Sequence, residues 1–118
     1  MIEKNTDIGN ITISLDVVAT VAGGAATECY GVVSMASKKR LKDGFYELLG
    51  RENFARGIVC LDGETGIILE LYVVLSYGVK ITEVIHEVQK KVKYVVESTL
   101  DSKVEAVNVF VQGIGNVE

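Results

Sequence analysis

The sequence predicts an α+β two-layer sandwich: one mainly antiparallel sheet with two main helices on one face. Three stretches carry that prediction. Ile67–Tyr77 is rich in β-branched and aromatic residues, which suit a pleated, half-buried surface. Ile81–Thr99 changes period: Ile81, Val84, Ile85, Val88, Val92, Val95 and Val96 recur at three- and four-residue spacing, with charged residues between them. Val104–Gln112 returns to period two.

Taken in order, the elements read β-α-β-(α)-β-β-α-β. Ile11, Ile13 and Leu15 alternate with Asn10, Thr12 and Ser14, the pattern of a strand with one polar face. Asp16 is placed to cap the helix that follows. Val18, Val21, Ala22, Ala25 and Cys29 form its apolar stripe, and Gly23, Thr27 and Gly31 a second row of small residues. Glycines within a helix cost roughly 1 kcal/mol each relative to alanine, so close packing or a ligand must offset Gly23-Gly24. Gly31 is expected to end the helix, and Val32–Met35 to be a short strand. Asp43–Gly50 reads as a short helix with Asp43 as cap and Gly50 as stop. Ile58–Leu61 is a strand, joined through Asp62-Gly63-Glu64-Thr65-Gly66 to the long strand that follows. Tyr77-Gly78-Val79 then turns the chain into the second helix.

At 118 residues the chain is expected to form a single domain, 1–118, large enough for its own core. A net charge of −4 disfavours nucleic acid or anionic lipid as partners, because both are bound chiefly by basic surface. Lys38, Lys39, Arg40 and Lys42 are the one basic cluster and read as a solvated loop. Cys29 and Cys60 are widely spaced among apolar neighbours, as buried free thiols of a reducing compartment would be. The start is polar and lacks a basic segment leading into an apolar run, so no signal peptide is expected. Val17–Ala36 is nearly uncharged, but Glu28, its glycines and its polar residues set it apart from a spanning helix. A cytoplasmic protein without its own membrane insertion is expected.

Reading the two long strands by face yields the one functional lead. Leu69, Leu71, Val73 and Leu75 share a side with one another, as do Val107, Val109 and Val111, and these sides should meet the helices. The opposite side carries Ile68, Glu70, Tyr72, Val74 and Ser76 on one strand, and Val104, Ala106, Asn108, Phe110 and Gln112 on the other. Alternation predicts polar residues on a solvated face. Ile68, Tyr72, Val74 and Phe110 are too apolar for one, and contiguous apolar surface of this kind marks an interaction site. Two occupants are open: a partner, or residues 38–57 with their Phe45, Leu48, Leu49 and Phe54.

A search for chemistry finds little. Ala22-Gly23-Gly24-Ala25 lacks both the dinucleotide spacing and a P-loop lysine. Gly63-Glu64-Thr65-Gly66 matches the Gly-x-x-Gly of RNA-binding KH loops, but is acidic and sits in a hairpin. His86, the one histidine, has Glu83, Gln89 and Lys90 as helical neighbours, which make no zinc set. Cys29 and Cys60 point into the core by pattern, away from any pairing with His86 as base. Glu70 on a sheet face suits cross-strand pairing better than acid–base work. No catalytic, metal or cofactor residues are predicted.

Gly31-Val32 after a small-residue helix, Asp43-Gly44-x-x-Glu47-Leu48-Leu49, Tyr77-Gly78-Val79-Lys80-Ile81, Val92-Lys93-Tyr94, Val107-Asn108-Val109 and Val111-Gln112-Gly113 occur in this order. The set resembles the alkaline-shock, or envelope-stress-response, family of Gram-positive bacteria, the YloU-like proteins, over a core of about residues 9–114. The resemblance implies a small cytoplasmic, non-enzymatic factor of envelope or alkaline stress, acting through a protein partner or self-association. It also implies a link to the membrane through a separate anchor protein. Two other classes stay open on the residues alone. One is a small-ligand-binding protein or enzyme, with a pocket where Gly23-Gly24 meets the sheet; the other is an RNA-binding module using Tyr72 and Phe110.

Overall fold

The structure, a computed structural model, describes residues 2–6, 9–40, 46–48 and 57–115, with the side chains of 14–36 and 57–115. In chain order the elements are β1 (Ile2–Thr6), β2 (Gly9–Ile13), α1 (Leu15–Thr27), β3 (Val32–Arg40), β4 (Tyr46–Leu48), β5 (Ile58–Asp62), β6 (Ile67–Ser76), α2 (Ile81–Leu100) and β7 (Val104–Gly115). The α+β class follows the sequence expectation and the element order roughly does, with β1 as an addition and strand β4 within the stretch expected to be a short helix.

The main sheet is built on β6. β7 runs parallel to it from the Ile67–Val104 pair to the Ser76–Gly115 pair. On the opposite edge, β5 pairs antiparallel with Ile67 to Leu71, and β3 pairs antiparallel with Val73 to Leu75. β4 extends the sheet beyond β3. β6, α2 and β7 thus form a strand–helix–parallel strand crossover within an otherwise antiparallel sheet. β1 and β2 make a separate two-stranded antiparallel sheet, in register from Ile2–Ile13 to Thr6–Gly9.

The core lies between this sheet and the helices. Leu69, Leu71, Val73 and Leu75 of β6 and Met35 of β3 are fully buried, as are Val88, Val92 and Val96 of α2. Val18, Ala22, Ala25 and Ala26 of α1 complete the same cluster. Valines at four-residue spacing are mediocre helix formers, so α2 depends on burying this stripe, at about 1.5–3 kcal/mol per side chain. Two polar contacts then fix α2 against β7. Gln89 donates from Nε2 to the Val107 carbonyl at 2.9 Å, and Glu97 Oε2 accepts the Val104 N–H at 2.9 Å.

Several local expectations are corrected. Ser14, not Asp16, caps α1: its hydroxyl accepts the Asp16 N–H at 3.1 Å, and Asp16 becomes the acid of the first turn, favourable at the positive end of the helix dipole. α1 ends at Thr27 rather than at Gly31, which lies in the following turn at φ +91°. Residues 46–48 of the expected Asp43–Gly50 helix form strand β4, antiparallel to β3 through the Ala36–Leu48 and Arg40–Tyr46 pairs with a register shift between them; the rest of that stretch lies outside the described residues. A segment this short cannot nucleate a helix unaided, and the long edge of β3 supplies backbone partners instead. Lys38, Lys39 and Arg40 belong to β3, not to a loop.

Candidate functional site

The outer side of the sheet is assembled by register. Tyr72 lies opposite Phe110, Glu70 opposite Asn108, Ile68 opposite Ala106, and Val74 opposite Gly113. Because Leu71 and Val73 point into the core, Tyr72 between them points away from the helices. Its ring stacks on that of Phe110, with centroids 5.0 Å apart and planes at 17°. Such a pair contributes about 0.5–1.5 kcal/mol beyond area burial. Phe110 nevertheless remains 42% exposed.

The other candidate residues fall around this stack. Ile68 is half-buried, whereas Val74 is 1% exposed and closed off from solvent. Residues 38–40, 46–48 and 57 of the 38–57 segment are placed in the backbone, but the side chains expected to cover this face (Phe45, Leu48, Leu49 and Phe54) lie outside the described residues. Leu61 is an addition to the expected face. It pairs with Ile68 across β5 and β6 and is 44% exposed, which extends the apolar surface by one strand. Ile58-Val59-Cys60-Leu61 is apolar throughout, so alternation within it cannot reveal which side Leu61 takes.

Two bulges in β7 also redraw the face. Ile67 pairs with Val104 but Ile68 with Ala106, so Glu105 is the extra residue. Val104 thereby turns into the core, where it is 1% exposed, instead of lying on the outer side where strict alternation places it. A second shift, between the Val73–Val111 and Val74–Gly113 pairs, brings Ile114 against the core. The bulged Glu105 reaches the β5–β6 connection, where its Oε1 accepts the Thr65 N–H at 2.8 Å and the Thr65 hydroxyl at 2.9 Å. These bonds hold its carboxyl below the ordinary glutamate range.

The groups with chemical potential are dispersed. His86 is exposed on α2. Cys60 donates weakly to the Leu15 carbonyl at 3.8 Å, and burial, aided by the Asp16 charge, pushes its thiol up to about 11. Burial raises the Cys29 thiol too, against a smaller opposing pull from Lys91. A raised thiol is mostly protonated at neutral pH and a poor nucleophile. Among the described residues no group of three or more His, Cys, Asp or Glu side chains is placed to hold a metal.

A cleft of about 320 Å³ opens between the end of α1 and the first half of α2, lined by Cys29, Tyr30, Val79, Val84, Glu87 and the flanking Glu28, Lys80, Glu83 and Lys91. It does not lie at Gly23-Gly24, where the sequence suggests a pocket. Gly23 is buried in α1, and a Cβ on Gly24 would meet nothing within 4 Å.

No helix among the described residues is long and apolar enough to cross a membrane. In comparison with known proteins, residues 3–116 match the alkaline-shock protein family, described as having a cell envelope-related function. The uncharacterised protein YloU of Bacillus subtilis is 50% identical over 113 residues, covering 96% of this chain and 94% of that protein. Spy1614 of Streptococcus pyogenes serotype M6, also uncharacterised, is 50% identical over 113 residues, with 96% and 93% covered. A more distant similarity, at 27% over 114 residues, is to YqhY of Bacillus subtilis, with 97% of this chain and 83% of that protein covered. No solved structure is significantly similar to the chain.

Proposed function

The chain belongs to the alkaline-shock protein family, of cell envelope-related function, and from that premise we propose that it is a non-enzymatic interaction module of the envelope stress response. Its partner on this reading is a membrane-anchored protein or a second copy of the chain. It works in the cytoplasm and reaches the membrane through that partner. The supporting observation is the Tyr72–Phe110 stack, held on the sheet side opposite the helices with Phe110 open to solvent, and with Leu61 and Ile68 on the same side beyond the Glu70–Asn108 pair. Apolar and aromatic side chains grouped this way supply the centre of a protein interface better than a reaction site. The raised thiols and the isolated position of His86 also favour a binding role over a catalytic one.

The test is cross-linking in cells followed by affinity purification, with Phe110→Lys and Tyr72→Lys compared with the unmodified chain. The expected outcome is loss of a discrete set of cross-linked proteins from both variants while their circular dichroism stays native. Both should also fail to restore growth at alkaline pH to cells lacking the chain. Equal recovery of the same proteins by natively folded variants would rule out this face as the contact surface.

A further inference from the structure

The cleft between α1 and α2 shares no residue with the Tyr72–Phe110 face and has a different chemistry. We propose that it is a docking site for an extended peptide segment of another protein, one that presents a bulky aliphatic side chain two residues from an arginine or lysine, on the same face. The volume, about 320 Å³, lies at the small end of the range for ligand sites and matches one or two side chains rather than a cofactor.

Its floor is apolar, formed by Val79, Val84 and the Cys29 side chain. Tyr30 stands at its edge with 87% of its surface in solvent, because the turn that brings the Val32 N–H to the Cys29 carbonyl (3.3 Å) projects residue 30 outward. A tyrosine so placed offers an apolar ring and a face for a cation. The rim sets the sign of the ligand. Lys91 is paired with Glu28 at 3.4 Å and Lys80 with Glu83 at 3.8 Å. Glu87, between them on α2, is exposed and has no ion-pair partner among the described residues. Each lysine thus already has a carboxylate partner, and the lining carries one carboxylate more than it has ammonium groups, beside apolar surface. That arrangement repels an anion and suits a cationic head on an aliphatic stem. Floor and carboxylate are separate features, so side chains two residues apart on one extended segment, which share a face, can use both.

The probe is N-acetyl-leucyl-seryl-arginine amide, titrated into the ¹⁵N-labelled full chain and followed by amide chemical shifts. The expected result is saturable binding in roughly the millimolar range, with shifts concentrated at residues 28–31 and 79–87. Glu87→Gln should weaken it about threefold, and Glu87→Lys more than tenfold. Phe110→Lys should leave it unchanged, which separates this site from the sheet face. Glu87 is exposed, so both variants should keep the native spectrum elsewhere. The proposal is overturned by equal binding of the leucyl-seryl-glutamate analogue, by shifts centred on residues 72 and 110, or by no saturable shift at about 10 mM peptide. Isopentylamine binding as tightly as the peptide would also overturn it, because a small amine would then be the better-fitting occupant.

Discussion

Both sides of the β6–β7 pair carry apolar side chains and put them to different uses. On the helix side Leu69, Leu71, Val73 and Leu75 are sealed under α1 and α2. On the other side Val74 is sealed as well, but Tyr72, Ile68 and Phe110 are open to solvent in part, Phe110 the most. Hydrophobicity alone therefore does not distinguish core from surface in these strands. What distinguishes them is the packing on each side: β-branched and small helical residues fit closely over one face, while two aromatic rings on the other satisfy one another. Substitutions on the first side should change stability; on the second they should change association.

The largest effect is expected at the centre of the closed side. Leu71→Ala removes a fully buried side chain from a cluster that includes both helices, and should lower the unfolding free energy by about 2–5 kcal/mol in a urea titration. Gly31→Ala comes next and tests the same side through the backbone. Gly31 has φ +91°, and a Cβ there would lie 2.8 Å from Val84 Cγ2 and 3.3 Å from Val79 Cγ1. Its carbonyl also accepts the Ser76 N–H at 2.8 Å, so the turn cannot move away without breaking a bond to the end of β6. The expected cost is about 1–3 kcal/mol. A loss below roughly 0.5 kcal/mol in the same titration, the range of an ordinary surface substitution, would mean that the turn relaxes freely.

The closed side is the more legible of the two. Period in Ile67–Tyr77 and Ile81–Thr99 locates β6 and α2 to within a residue at each end, because their burial follows alternation or helical spacing closely. The outer side is only half legible. Tyr72 and Phe110 are readable because they alternate with core residues, but their stacking depends on the parallel register, which no local pattern encodes. Alternation puts Val104 on the wrong side because a bulge at Glu105 reverses parity, and it misses Leu61 because that strand does not alternate. β4 reads as helix because tertiary pairing with β3 overrides the weak helical preference of a short segment. The cleft joins residues from two distant turns, and nothing in the spacing between Tyr30 and Glu87 announces it.

On the open side Phe110→Lys should cost at most about 1.5 kcal/mol, the upper value for an aromatic pair, and leave cooperative unfolding intact. The same variant is the one expected to lose cross-linked partners. A destabilisation approaching that of Leu71→Ala would blur the contrast and mark the stack as core.

The smallest effect belongs to the bulge that divides the two sides, and it appears only as a dependence on pH. Glu105 is depressed below the ordinary glutamate value of 4.5 chiefly by the backbone N–H of Thr65, then by its hydroxyl. A carboxyl depressed in the folded state contributes stability that is fully present above its unfolded value, and that contribution is lost as pH falls through the lowered folded value. Glu105→Gln keeps an oxygen that can accept from Thr65 but cannot ionise. Unfolding measured from neutral pH down into the acid range should therefore show a shallower loss of stability below pH 4.5 for the variant than for the natural chain. The group is solvent-exposed, so high salt should shrink the difference between the two curves. Superimposable acid limbs at low salt would mean that the Thr65 contacts do not persist in solution, and that the bulge alone holds Val104 in the core.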